Sequence, residues 1–234
     1  MATQEDIQTM QKRIIYNPNG DNIQMIKDYL SQLPNVKYDE EKKMYFEFPD
    51  VNPKEFWFSS LYRKFMKKTK GGNIVNYPGR CGWTLLGCAA QQCEVKLAKW
   101  LIQMGANVDE GNDTMSCLSV MFYDEEETNN KSLSADDQKN MLNLLLNNGV
   151  NLNQKDESGY FPLEYALINF HMAHPEVIVK MIENTNAKIL EDLKNEKNDL
   201  KLQKAYKQLP RDFQHLIDLQ FLRVNRILNR ILNQ

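Results

Sequence analysis

No stretch of this chain reaches the roughly 18 consecutive apolar residues that a membrane-spanning helix needs, so no span is predicted and contact with a membrane is not expected. Residues Met1 to Asp6 have no basic segment running into an apolar one, and synthesis without a secretory leader is expected. An excess of either charge is also missing. Lys and Arg number 29 against 31 Asp and Glu, and the formal net charge of −2 gives no overall attraction to nucleic acid or to anionic lipid. The cysteines are four: Cys81, Cys88, Cys93 and Cys117. Even joined by His171 and His174 they match no C-x-x-C zinc spacing and no small disulfide framework. No metal is predicted, and a reducing, cytoplasmic setting is expected, with delivery into a host cell as an effector left open. G-x-S-x-G, H-E-x-x-H and glycine-rich phosphate loops are absent, and Gly71-Gly72 is short for a phosphate cradle and better suited to ending a helix. Neither a catalytic residue nor a cofactor is predicted.

What is present is periodic. From Gly82-Trp83-Thr84-Leu85-Leu86-Gly87-Cys88-Ala89-Ala90 the chain runs through Val95, Leu97, Ala98, Trp100, Leu101 and Ile102 to Gly105-Ala106-Asn107-Val108-Asp109. Small Ala89 and Ala90 end a short helix on a face that a second helix can approach closely. Val95 to Ile102 forms that second, amphipathic helix, and Gly105 follows its last turn, where a left-handed residue is wanted. Two short helices closed by a glycine turn cannot bury their apolar faces alone, so copies are expected on either side. Gly159-Tyr160-Phe161-Pro162-Leu163-Glu164-Tyr165-Ala166, followed by Ile178, Val179, Met181 and Ile182, is one copy. Ser116 to Met121, followed by Met141 to Asn153, is another. The period stretches to 44 residues between Asp109 and Asn153, with an insertion around Tyr123 to Asp137 that reads as a solvated acidic loop.

The run Thr84-Leu85-Leu86-Gly87-Cys88-Ala89 resembles the T-P-L-H-x-A signature of the ankyrin repeat, with Leu85 and Gly87 standing where that family prefers Pro and His. Leu145 to Asn153 resembles the family's L-L-x-x-G-A-D-V-N ending. In this frame Cys88 takes a core Leu position and Cys93 a helix-end Gly position, so packing accounts for both. The resemblance covers about residues 77–185 and reaches faintly back to Gly20. It implies an all-α, ankyrin-type helical solenoid of four to five units with short hairpin loops. The units are expected at 1–38, 39–76, 77–109, 110–153 and 154–187, the first two degenerate, with a C-terminal helical extension over 188–234.

Toward the N-terminus, Ile7, Met10 and Ile14 share a helical face, Asn17-Pro18-Asn19-Gly20 is a turn, and Asp21 caps a helix carrying Ile23, Ile26, Tyr29, Leu30 and Leu33. Alternation at Met44, Phe46 and Phe48 predicts a hairpin with Val36 to Tyr38 across the charged Asp39 to Lys43 turn. Asn52-Pro53-Lys54-Glu55 resembles a capping box opening a helix with Phe56, Trp57, Leu61, Phe65 and Met66. Beyond Ala187, one charged helix runs to Leu209. A second, from Arg211, carries an apolar stripe at Ile217, Phe221, Val224, Leu228 and Ile231 opposite Arg223, Arg226 and Arg230. A cap over the last repeat, a partner helix and a membrane-surface helix are the readings it allows, in that order.

The family resemblance implies that a partner protein is bound along the concave face of hairpin fingers and first helices. The residue before each T-P-L position, Trp83, Met115 and Tyr160, is expected to point out from its finger, with Arg80, Glu157, Gln91 and Gln92 as polar neighbours. Stacking of Trp83 and Tyr160 between fingers is the competing expectation. The implied function is a non-catalytic protein-protein interaction module, an adaptor, scaffold or subunit of a larger assembly, or a microbial effector. The alternative is a ubiquitin-ligase recruiter or an enzyme whose activity lies in the C-terminal helices, where Gln208-Leu209-Pro210-Arg211-Asp212-Phe213 faintly resembles the start of an F-box.

Overall fold

Short helices in this chain start where the sequence supplies an acceptor for their loose N–H groups. The Thr84 hydroxyl accepts from the Gly87 N–H at 2.9 Å and the Ser116 hydroxyl from the Ser119 N–H at 3.1 Å. Phe161, at the equivalent place, has no acceptor. There Pro162 removes one donor and the Glu164 carboxylate reaches back to the Phe161 N–H at 2.5 Å.

The computed structural model describes residues 4–16, 21–33, 36–47, 73–79, 82–112, 114–123, 133–169 and 173–186, with 210–212, 214, 215 and 218 beyond them. Along these the elements are α1 (Gln4–Tyr16), α2 (Asn22–Gln32), β1 (Val36–Asp39), β2 (Met44–Glu47), a 3-10 turn (Ile74–Asn76), α3 (Leu85–Gln91), α4 (Val95–Gln103), α5 (Cys117–Val120), α6 (Ala135–Asn147), α7 (Pro162–Ile168) and α8 (Pro175–Asn184). Helices α1, α3, α5 and α7 touch in that order to make an inner row, and α2, α4, α6 and α8 make an outer one. Each inner helix also contacts its own outer partner, so the described helices form four stacked pairs. An all-α ankyrin solenoid is the result. The β1–β2 hairpin forms in antiparallel register, Val36 opposite Glu47 and Tyr38 opposite Tyr45.

The layers are held by one hydrogen bond that repeats. The side-chain oxygen of the residue closing one unit accepts the backbone N–H of a turn residue in the next: Asn76 from Asn107, Asp109 from Asn151 and Asn153 from Asn186, each at 2.8 Å. These N–H groups lie just past helix ends, where no helical carbonyl is available to them. Side-chain amides add to it, Asn76 donating to the Gly105 carbonyl at 3.0 Å and Asn73 to that of Met104 at 2.5 Å.

Units were expected at 1–38 and 39–76; among the described residues α1 lies on α3 and α2 on α4. Buried Asn22 ties these layers together, donating to both carboxylate oxygens of Glu94 at 3.1 and 3.0 Å. Asn76 in turn accepts from Asn107 in the α3–α4 layer. The predicted helix after Asn52 lies outside the described residues. The acidic loop was expected to run to Asp137, but Ser134 caps α6 by accepting from the Asp137 N–H at 3.0 Å. Asp136 and Asp137 sit in its first turn, where negative charge suits the helix dipole. The 187–209 helix and the stripe from Ile217 to Ile231 lie outside the described residues.

Glycine at 87, in place of the family's His, has a reason. A Cβ built there would lie 1.8 Å from the Gly111 carbonyl oxygen, which also accepts the Thr84 N–H at 3.0 Å. Only a residue without a side chain lets the backbone of the next layer come this close. Gly87→Ala gains about 1 kcal/mol of helix propensity and meets an overpacking cost of roughly 1–3 kcal/mol against backbone atoms that cannot swing aside. A net loss of stability is expected; a raised urea midpoint by circular dichroism would contradict the close approach. Cys93 holds φ +51 at the helix-end position that favours glycine. Cys93→Gly is expected to be near neutral, relief of about 1 kcal/mol of strain offsetting lost burial, whereas Cys93→Val should lower the same midpoint.

Candidate functional site

Three fingers project between the layers, built on one pattern. In each, the first residue's N–H donates to the carbonyl of the residue that precedes the inner helix cap: Gly79 to Trp83 at 2.8 Å, Gly111 to Met115 at 2.8 Å and Asp156 to Tyr160 at 2.9 Å. Left-handed glycines turn two of them, Gly82 at φ 77 and Gly159 at φ 87. The middle finger uses Asn112 instead, its Oδ1 accepting from the Met115 N–H at 2.7 Å and the Thr114 N–H at 2.9 Å. Fingers are tied sideways as well. The Thr84 hydroxyl donates to the Glu110 carbonyl at 2.8 Å, the Glu157 N–H to the Thr114 carbonyl at 3.3 Å, and the Gln11 amide of α1 to the Trp83 carbonyl.

The candidate residues divide. Trp83 and Met115, expected to point out, are each only 8% exposed. Their backbones occupy the predicted places, but their side chains turn inward. A ring as large as an indole gains more by packing than by standing in water, and Trp83 lies 6.4 Å from the Tyr123 ring. Tyr160 is half-buried, edge-on to Tyr165 at 5.7 Å, and Glu157 is exposed. Gln92 is half-buried; Gln91 is 6% exposed, and its buried amide nitrogen has no hydrogen-bond partner among the described residues. Arg80 lies outside the described residues.

Tyr123 and Tyr165 were not among the residues singled out, although they complete a file of rings, Trp83, Tyr123, Tyr165 and Tyr160, across three layers. The signal for Tyr165 was available: it occupies the variable place in the signature, where Cys88 and Val120 stand in the other units. The cleft between the middle and last fingers was also missed. About 260 Å³ in volume, it is lined by Asp109, Glu110, Asp156 and Glu157, with Thr114 and Met115. Its acidic residues come as two sequence pairs a unit apart.

Among the described residues no three His, Cys, Asp or Glu side chains are grouped to hold a metal ion. Cys117 is enclosed: burial pushes its thiol well above the ordinary value, with Asp109 and Glu110 adding to the rise, and it donates to the Glu110 carbonyl at 3.5 Å. Such a thiol is a packing group rather than a nucleophile.

Tyr165 donates its hydroxyl to Asp156 Oδ2 at 2.5 Å, joining inner helix to finger. Burial first, and then the bond to and charge of Asp156, raise its phenol far above the ordinary 10.0. A raised folded value means that this stabilisation is intact below pH 10.0 and is lost as pH climbs through the alkaline range. Tyr165→Phe is expected to cost about 1–2 kcal/mol at pH 7 and to flatten the alkaline fall in the urea midpoint. An alkaline fall as steep as in the wild type would remove Tyr165 as its source.

The family model for the ankyrin repeat matches residues 81–110, which span the α3–α4 layer. An ankyrin repeat protein of fowlpox virus (strain NVSL) is 30% identical over 95 residues, 41% of this chain and 20% of the viral protein. The chain therefore spans about a fifth of that relative's length. An ankyrin repeat domain from Acinetobacter baumannii AYE, known from a crystal structure, is 19% identical and is matched over 76% of this chain and 98% of that one, at a TM-score of 0.37. That likeness is too loose to bear on how the layers here are set. No described helix is long and apolar enough to cross a membrane. The matched repeat is the layer against which pairs stack on either side, and residues 81–110 of this chain are similar to an ankyrin repeat.

Proposed function

We propose that this chain is a non-catalytic protein-binding module whose contact surface is the face carrying the finger tips and the exposed edges of the ring file. Ankyrin repeats generally mediate protein-protein interaction, and the observation that carries the reading here is the cleft between the middle and last fingers, rimmed by exposed Glu157 with half-buried Tyr160 beside it. A rigid file of rings holding the fingers in place offers a preorganised surface, the kind that loses little freedom when a partner docks. Arg80, Gln91 and Gln92 belong to the same proposed face, with Trp83 and Met115 as its supports. An adaptor, or a subunit of a larger cytoplasmic assembly, is the role that such a module fits. The repeat array is taken as 1–187, with 188–234 as its extension.

The test is affinity purification with three chains side by side: wild type, Glu157→Ala/Tyr160→Ala, and a truncation after Ala187. The double variant is expected to lose about 1–2 kcal/mol of partner affinity, roughly tenfold, with helicity unchanged, while the truncation retains the partner. Capture that survives the finger changes and disappears with residues 188–234 would move the binding site to the extension.

A further inference from the structure

The α7–α8 layer is more fully covered than its described neighbours account for. Every position of α7 from Pro162 to Leu167 is buried, on all sides of the helix, while the described helices packed against α7 are α5 and α8. The open end of a helical stack would otherwise leave one side of its last pair in water. We infer that the C-terminal segment 188–234 folds back over the α7–α8 layer as its cap, with the apolar stripe of the helix from Arg211 turned onto α8. The inference is independent of what the finger surface binds.

The start of that helix lies on α8. A groove of about 760 Å³ has Pro175 and Val179 of α8 and Lys139 of α6 among its walls, together with Pro210 and Asp212. Its charges are already matched: Lys139 meets Glu176 at 2.8 Å, and Lys180 donates to Asn143 Oδ1. What Pro175, Val179 and Pro210 leave for an occupant is apolar surface. The Gln214 N–H donates to the Pro210 carbonyl at 3.3 Å, opening a helix in which Arg211, Asp212 and His215 are exposed while Gln214 and Asp218 are half-buried. At about 100° per residue, positions 214 and 218 adjoin the side on which Ile217, Phe221, Val224, Leu228 and Ile231 fall, and positions 211, 212 and 215 lie away from it. The covered side at the start of the helix is therefore the side that the stripe continues. Arg223, Arg226 and Arg230 fall opposite, where water can reach them. As a helix the stripe runs about 21 Å against about 15 Å for α8, enough to cover it from end to end.

The test is amide hydrogen exchange with limited trypsin digestion on three full-length chains: wild type, Phe221→Asp/Leu228→Asp, which charges the stripe, and Val179→Asp, which charges the groove. In the wild type, residues 217–231 are expected to be protected and Arg223, Arg226 and Arg230 to resist cleavage. Each variant should speed cleavage there by about tenfold and raise exchange in α7 and α8, with protection over 85–103 unchanged. Val179 is half-buried on the helix surface, so its change carries the same test should the stripe variant lose its circular dichroism signal. Exchange of 217–231 at the rate of an unfolded peptide in the wild type, or cleavage indifferent to both changes, would overturn the cap. So would another occupant of the stripe. That occupant would be a second copy if the wild type sediments as a dimer and the stripe variant as a monomer, and a lipid surface if vesicles of phosphatidylserine and phosphatidylcholine bind the wild type and not the stripe variant.

Discussion

The interlayer bond from a backbone N–H to the closing residue of the unit before it is what the rest of this structure depends on. Asn76, Asp109 and Asn153 each accept one such bond, at the same 2.8 Å. A bond repeated at one length sets one spacing between layers. That spacing in turn decides which residues fit on the inner row: glycine at 87, alanines at 89 and 90, and thiols at 88 and 117, all buried. Hydrogen bonding here adds modest energy per bond, about 1 kcal/mol, and its larger effect is geometric, since these bonds lie at exposed or half-buried turns and fix where one layer meets the next.

The same device explains how the array tolerates irregular units. Between Asp109 and Asn153 the chain takes 44 residues, yet the bond across that boundary matches its neighbours. At the boundary before it, Asn76 accepts from Asn107 at the same length. Lengthening a loop costs only slowly increasing entropy, so extra chain is accepted wherever the ends can still meet. A layer is thus defined by its closing contact, not by an unbroken stretch of sequence.

The candidate surface grows out of that stacking. Fingers lie side by side because the layers do, and once there they are fixed by Thr84 to the Glu110 and Gly111 carbonyls and by Glu157 to Thr114. Ring contacts from Trp83 through Tyr123 and Tyr165 to Tyr160 stiffen the face from below. Acidic residues that are distant along the chain then share one cleft. Two of the polar residues singled out in the sequence, Glu157 and Gln92, keep part of their surface, and Tyr160 keeps an edge. Trp83 and Met115 do not, because their finger positions bring large apolar groups within reach of a neighbouring layer.

By itself the sequence determined the helices and their caps. Thr84, Ser116 and Asp21 act on N–H groups three residues away, and Gly105 and Gly149 end helices through their own backbone, so short-range chemistry suffices, although the Ser134 cap fell inside the expected acidic loop. It also determined that the pairs must stack, since no pair could bury its apolar side unaided. Only the tertiary structure decided that α1 and α2 sit directly on α3 and α4, that Gly87 is small for the sake of Gly111, and that Trp83 turns inward. Each of these turns on an atom 24 or more residues away across a layer boundary, where periodicity says that a face is buried but not against what.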